Sequence, residues 1–178
     1  VAALCPAREY TPIEDVLSGL ENPDRTPLLV VAAGVEDPRN LGSVIRSCAG
    51  LGADAVLLEQ RNTAPLGSTV AKTAAGMLEH VLVSRPRNLE RVVGEIKQRG
   101  LVVVGADARA SMRPDQVDLT KPAVLITGGE HRGIPPYLRK LCDMMVGIPL
   151  QPGVESLNVA VAGAILLYET RRQRATAP

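Results

Sequence analysis

Tryptophan and phenylalanine are absent from this 178-residue chain, and three tyrosines make up its whole aromatic content. A surface that grips single-stranded nucleic acid by stacking base after base needs more rings than that, so a stacking platform is excluded. Cysteine is scarce as well. Cys5, Cys48 and Cys142 are odd in number and far apart, with no CxxC pair and no Cys/His cluster. That pattern suggests neither a disulfide framework nor a zinc site, and it fits a reducing, cytoplasmic compartment. An excess of one charge is lacking too. Twenty basic residues face nineteen acidic ones, for a net charge of +1. No global basic field draws in a polyanion, so any nucleic-acid contact has to come from a local patch. The longest apolar run, residues 159–168, falls short of the ~20 residues that cross a bilayer, and no secretory signal is visible. No membrane partner is expected.

What is present suits one folded domain, with 46% apolar and 22% charged residues. Residues 1–27 are interrupted by Pro6, Pro12, Pro23 and Pro27. We read them as a leader or linker carrying one short helix over 13–20, the remnant of a link to a removed N-terminal domain. From residue 28 onward apolar runs alternate with helical stripes. Residues 28–33 form a continuous apolar run, as a strand covered on both faces should. Residues 40–51 place apolar side chains at Leu41, Val44, Ile45, Cys48 and Ala49, the spacing of an amphipathic helix. Strands are expected at 55–58, 81–83, 101–106, 123–127 and 144–148. Helices are expected at 68–75, 89–98, 136–141 and 156–174. Alternation of this kind predicts an α/β fold with a parallel sheet over 28–178. The last helix is apolar almost all round between Leu157 and Leu167, so it needs cover on more than one side, from a second subunit if not from its own domain.

Three polar motifs stand at expected strand-to-helix junctions. In the first, Asn40 is a natural helix cap, and Gly42 lies one turn before Arg46 on the same side. A missing side chain beneath an arginine leaves room for a ligand near a guanidinium suited to phosphate; on spacing alone, a capped surface helix with a solvated arginine is the favoured reading. In the second, a strand runs into Thr127-Gly128-Gly129-Glu130-His131-Arg132-Gly133. Glycines there let backbone approach a ligand, yet the pattern is neither a dinucleotide fingerprint nor a P-loop. Glu130 would repel phosphate and suit a donor-rich ligand; the alternative is a tight turn. In the third, Ile148, Leu150 and Leu157 could line an apolar slot beside Ser156 and Asn158, or simply pack in the core behind a Ser156 cap. Lys72 is an isolated basic residue on a helix of small side chains.

Taken together and in this order, the motifs resemble the SpoU (TrmH) family of RNA ribose 2′-O-methyltransferases of the SPOUT superfamily. Asn40-x-Gly42-x-x-x-Arg46, Gly128-x-Glu130-x-x-Gly133, and Ile148-Pro149 with Ser156-Leu157-Asn158-Val159 match its three motifs in turn. Residues 62–66, with Val70-Ala71-Lys72 and Gly76, resemble the RlmB-like branch, which modifies a guanosine ribose of large-subunit ribosomal RNA. The resemblance spans residues 28–174. It implies a parallel-sheet α/β/α domain ending in a trefoil knot, a homodimer, and S-adenosylmethionine as methyl donor, with no metal. It implies a cofactor site at Thr127, Gly128, Gly129, Ile148, Leu150 and Leu157. It implies a catalytic set of Arg46, Asn40, Glu130, Ser156 and Asn158, and RNA contacts from Arg39, Lys72 and Arg132. His131-Arg132 departs from the small or acidic residues common there. The expected reaction is methyl transfer to ribosomal RNA; transfer RNA, an antibiotic-resistance methylation, or a non-catalytic RNA-binding module are the alternatives.

Overall fold

The computed structural model describes residues 8–129 and 132–177. Six parallel strands form one sheet in the order β3-β2-β1-β5-β4-β6. They are β1 (Leu28–Ala33), β2 (Ala55–Leu58), β3 (Leu82–Ser84), β4 (Val102–Ala106), β5 (Ala123–Gly128) and β6 (Met144–Val146). Side chains alternate across the sheet. Leu28, Val30 and Ala32 of β1 face one buried cluster, and Leu29, Val31 and Ala33 face another. The first cluster is closed by α2 (Pro38–Leu51), α3 (Ser68–Ala74) and α6 (Val159–Thr176); the second by α1 (Ile13–Gly19), α4 (Leu89–Gln98) and α5 (Pro136–Arg139). The result is the parallel-sheet α/β fold that the alternating pattern predicts, built as a three-layered α/β/α sandwich.

Several element ends differ from the sequence reading, each for a local reason. Helix α2 starts two residues early. Asp37, not Asn40, is its cap: the Asp37 carboxylate accepts from the Arg39 amide at 2.7 Å, and Pro38 occupies the first helical position. Helix α6 starts at Val159 rather than Ser156. Its cap is Asn158, whose Oδ1 accepts from the Ala160 and Val161 amides at 2.9 and 3.4 Å. Strand β5 continues to Gly128 because Gly128 pairs with Ala33. Strand β6 stops at Val146, where the Gly147 amide turns to the Met112 carbonyl.

The connection between β4 and β5 is clasped from two sides. The Asp107 amide donates to the Val146 carbonyl, and a Cβ at Gly147 would sit 2.4 Å from the Ala110 carbonyl oxygen. From α6, Gln173 binds the Leu119 amide and the Val117 carbonyl. Arg174 donates to the carbonyls of Thr26, Pro27, Leu119 and Lys121. Helix α6 is not covered all round. Val161, Ile165 and Tyr168 recur at i, i+4 and i+7 and remain exposed.

Candidate functional site

At the carboxyl ends of β4, β5 and β6 the sheet opens into a cleft of about 720 Å³. Parallel α/β sheets bind ligands at this edge, and the volume lies within the range of about 300–1,000 Å³ usual for small-molecule sites. One wall is glycine backbone. A Cβ at Gly128 would lie 2.0 Å from the Gly133 carbonyl carbon, and one at Gly129 would lie 2.0 Å from the Gly34 carbonyl oxygen. The chain leaving β5 therefore folds back on itself, closed by the Gly133 amide donating to the Gly129 carbonyl at 3.0 Å. Glycine is required at Gly128 by the returning chain and at Gly129 by the Gly34 backbone that follows β1, not by an approaching ligand. Ile148, Leu150 and Leu157 line the facing wall, with Ser156 and Glu155 beside them.

The rim is charged. Arg109, Arg132 and Arg139 line it together with Asp107. The Arg109 amide and the Arg139 guanidinium both donate to the Asp107 carboxylate and hold it below the usual carboxylate range. Sequence reasoning missed Asp107, Arg109 and Arg139. Their signal was positional: they follow β4 where β5 and β6 also end, or lie on α5, which comes directly after the glycine turn.

The motifs meet. Asn158 stands between the cleft residues Leu157 and Val159, and its Nδ2 donates to Asn40 Oδ1 at 2.9 Å. The first motif is thereby fastened to the third at the lip of a cleft walled by the second and third. Other residues lie elsewhere. The Thr127 side chain is buried behind the cleft and donates its hydroxyl to the Val31 carbonyl. Arg46, Arg39 and Lys72 are exposed and outside the lining. Arg46 and Arg39, seven residues apart, share one face of α2. Gly42 offers no ligand space beneath Arg46, because α3 fills it. A Cβ there would meet Thr73 Cβ at 2.7 Å and the Val70 carbonyl oxygen at 2.8 Å. Glu130 and His131 lie outside the described residues. Among the described residues no group of three or more His, Cys, Asp or Glu could hold a metal ion, and no helix is long and apolar enough to cross a membrane.

A family model described as the SpoU rRNA Methylase family matches residues 27–168. The 23S rRNA (guanosine-2′-O-)-methyltransferase RlmB of Nitrosomonas europaea is 40% identical over 166 residues, which cover 93% of this chain and 63% of that one. The SpoU methyltransferase AviRb of Streptomyces viridochromogenes, solved with its cofactor AdoMet, superposes with a TM-score of 0.79 at 30% identity, covering 89% of this chain and 63% of that one. The TrmH/SpoU tRNA modifying enzyme of A. aeolicus superposes with a TM-score of 0.77 at 29% identity, covering 85% and 77%. Among relatives of this kind the chain spans between 45% and 70% of the full length.

Proposed function

The chain belongs to the SpoU rRNA methylase family, and from that premise we propose that it methylates a ribose 2′-hydroxyl of RNA, a guanosine of large-subunit ribosomal RNA foremost, with S-adenosylmethionine as donor. The observation that carries the reading is the 2.9 Å bond from Asn158 to Asn40, which fastens the arginine-bearing helix to the lip of the cleft.

The cleft fits the donor. Its glycine and apolar walls leave main-chain groups to bind the ligand, its volume suits a nucleoside with an amino-acid arm, and its arginine rim suits a carboxylate. When bound, the donor supplies an electrophilic methyl on a sulfonium, so the protein has to position its partner and help the hydroxyl lose its proton. Ile148, Leu150 and Leu157 exclude water from the apolar wall. Ser156 faces the cleft as a hydroxyl available to a ligand, whereas Asn158 is occupied as helix cap and as the tie to Asn40. Glu130 belongs to the same proposed set through its place in the second motif. Arg46 lies six residues beyond Asn40, about 9 Å further along α2, and its side chain points back toward the helix start. An arginine, with a pKa above about 12, is a poor base. In this reading Arg46 orients the ribose-phosphate and stabilises the developing alkoxide, with Arg39 on the same face meeting the RNA backbone.

Two broader features complete the proposal. The clasp of the β4–β5 connection by segments before and within α6 supports a knotted carboxyl end. The exposed Val161, Ile165 and Tyr168 stripe on α6, beside α2, supports a homodimer through these helices. The protein would work in the cytoplasm, on its RNA, with the catalytic domain at 28–178 and α1 of the preceding 1–27 segment packed against its sheet.

The test uses calorimetry for S-adenosylmethionine and methyl transfer to an unmodified large-subunit rRNA transcript. Arg46→Ala should keep donor affinity within about twofold and cut transfer about 10²–10³-fold. Failure of the wild-type protein to bind the donor, or equal loss of binding and transfer in Arg46→Ala, would overturn the assignment.

A further inference from the structure

Beside the cofactor cleft lies a second, smaller cavity of about 270 Å³, at the carboxyl ends of β1, β2 and β5. The two share a partition made of Gly129, Arg132 and Gly133. The far side carries Glu36, Glu59, Asn62 and Tyr137, none of which belongs to the three motifs. Its volume falls below the range of whole small-molecule ligands, about 300–1,000 Å³, and suits one flat ring system. Tyr137, one of only three aromatic residues, stands in its wall and donates its hydroxyl to a Glu59 carboxylate oxygen. That bond fixes the carboxylate while leaving its second oxygen without a hydrogen-bond partner among the described residues. Among the described residues Glu36 makes no ion pair either.

Two carboxylates repel a phosphate backbone, and they can only accept hydrogen bonds. They therefore favour a ligand edge rich in N–H groups. We propose that this second cavity holds the base of the nucleotide whose ribose is methylated, and that Glu59, steadied by Tyr137, selects guanine. The inference rests on the methyltransferase reading above. Enzymes that act on a nucleotide taken out of its stack read the base through its Watson–Crick edge against an aromatic or apolar wall. Guanine presents its ring N–H and its amino group side by side, matching one carboxylate. Adenine and cytosine place a ring acceptor next to their amino group, and uracil sets its single N–H between two carbonyls. Each would bring an oxygen or a bare nitrogen lone pair against Glu59. The two cavities adjoin at Gly129, Arg132 and Gly133, so a base seated in the second leaves its sugar at the rim that they share.

The test follows backbone amide resonances of the full chain saturated with S-adenosylhomocysteine during titration with GMP, AMP, CMP and UMP. GMP should shift Gly34, Asn62, Gly129 and Tyr137, binding about tenfold tighter than the other three. Glu59→Gln should abolish that preference while leaving the shifts that S-adenosylhomocysteine causes at Gly128, Ile148 and Leu157. Equal binding of all four nucleotides to the wild type, or GMP shifts confined to other surfaces, would overturn the proposal without touching the cofactor reading. Absence of the S-adenosylhomocysteine shifts would instead bring down the methyltransferase reading and this one with it. The wild-type comparison among nucleotides stands even if Glu59→Gln does not fold.

Discussion

Asn158 performs two jobs with the two ends of one amide, and the jobs can be separated. Its Oδ1 caps α6 by accepting from the Ala160 and Val161 amides, and its Nδ2 donates to Asn40 Oδ1 on α2. Replacing a good cap by alanine costs about 1 kcal/mol. The Asn158–Asn40 bond is solvent-exposed, so its loss belongs at the low end of the hydrogen-bond range, about 0.5 kcal/mol. Asn158→Ala should therefore lose about 1.5 kcal/mol, a drop in Tm of roughly 3–6 °C for a chain of this length. Asn158→Asp keeps an oxygen over the same amides and adds a negative charge at a helix start, worth about 0.3–1 kcal/mol. It also turns the donor facing Asn40 into an acceptor. Stability should thus stay within about 0.5 kcal/mol of wild type, while the tie between the first and third motifs is broken. Thermal and urea unfolding give the first quantity, and methyl transfer to rRNA at saturating donor gives the second. A near-native Tm with transfer reduced at least tenfold is expected for Asn158→Asp. A fall in Tm as large as that of Asn158→Ala would show that the cap is not what Asn158 contributes. Unchanged transfer would show that the link to Asn40 has no part in the chemistry.

Two glycines should respond to alanine in opposite directions. Gly42→Ala would push against the Val70 carbonyl and Thr73, forcing α2 from α3, and should lose about 1–3 kcal/mol in urea unfolding. Gly94 in α4 has open space around it, so Gly94→Ala should gain about 1 kcal/mol from helix propensity alone. Asp107 is held below the ordinary carboxylate range by the Arg109 amide and Arg139, so its contribution is present above the unfolded value near 3.9 and fades as pH falls through its lower folded value. The gap in urea midpoint between wild type and Asp107→Asn should be open at pH 7 and narrow below about pH 4; a gap independent of pH would contradict the assignment. Burial pushes the Cys48 thiol well above its ordinary value, so a disulfide exchange reagent should label Cys48 only on unfolding; labelling at native rates would place Cys48 outside the core.

The sheet was readable because its strands obey a simple rule. Strands covered on both faces are unbroken apolar runs, so Leu28–Ala33 and Ala55–Leu58 stood out without help from any distant residue. Helix α4 follows the expected 89–98, held in the structure between its Asn88 cap and Gly100 at φ 90°. Boundaries slipped where two capping residues compete within a few positions. Asp37 and Asn40 are both competent caps, as are Ser156 and Asn158; proline at position 38 decides the first pair, and the bond to Asn40 favours the second member of the other. The first deciding feature is local, since proline favours the first helical position, but the second reaches 118 residues along the chain and cannot be weighed from local preference.

The site divides along the same line. Motif residues announce themselves by type: a glycine after a strand, an asparagine in an apolar run, an arginine beside a glycine. Type says that something comes close to the backbone, but not what. At Gly42 it is the α3 backbone, brought from 28 residues away, and at Gly128 it is the chain's own return through Gly133. Asp107, Arg109, Glu59 and Tyr137 show the converse. Each is an ordinary surface residue by type, and acquires meaning only because parallel strands end together at one edge of the sheet. Strand order therefore does what motif matching cannot. Once β1, β2, β4, β5 and β6 are known to stop on the same side, the few residues after each stop form a short list of candidates. Glu36, Glu59, Asn62 and Asp107 are all on that list, within four residues of a strand end. Such residues can differ between chains that share the three motifs without disturbing the glycine turn. That freedom is what a determinant of substrate choice requires, and it is why the second cavity, rather than the motif cleft, is the place to look for the target base.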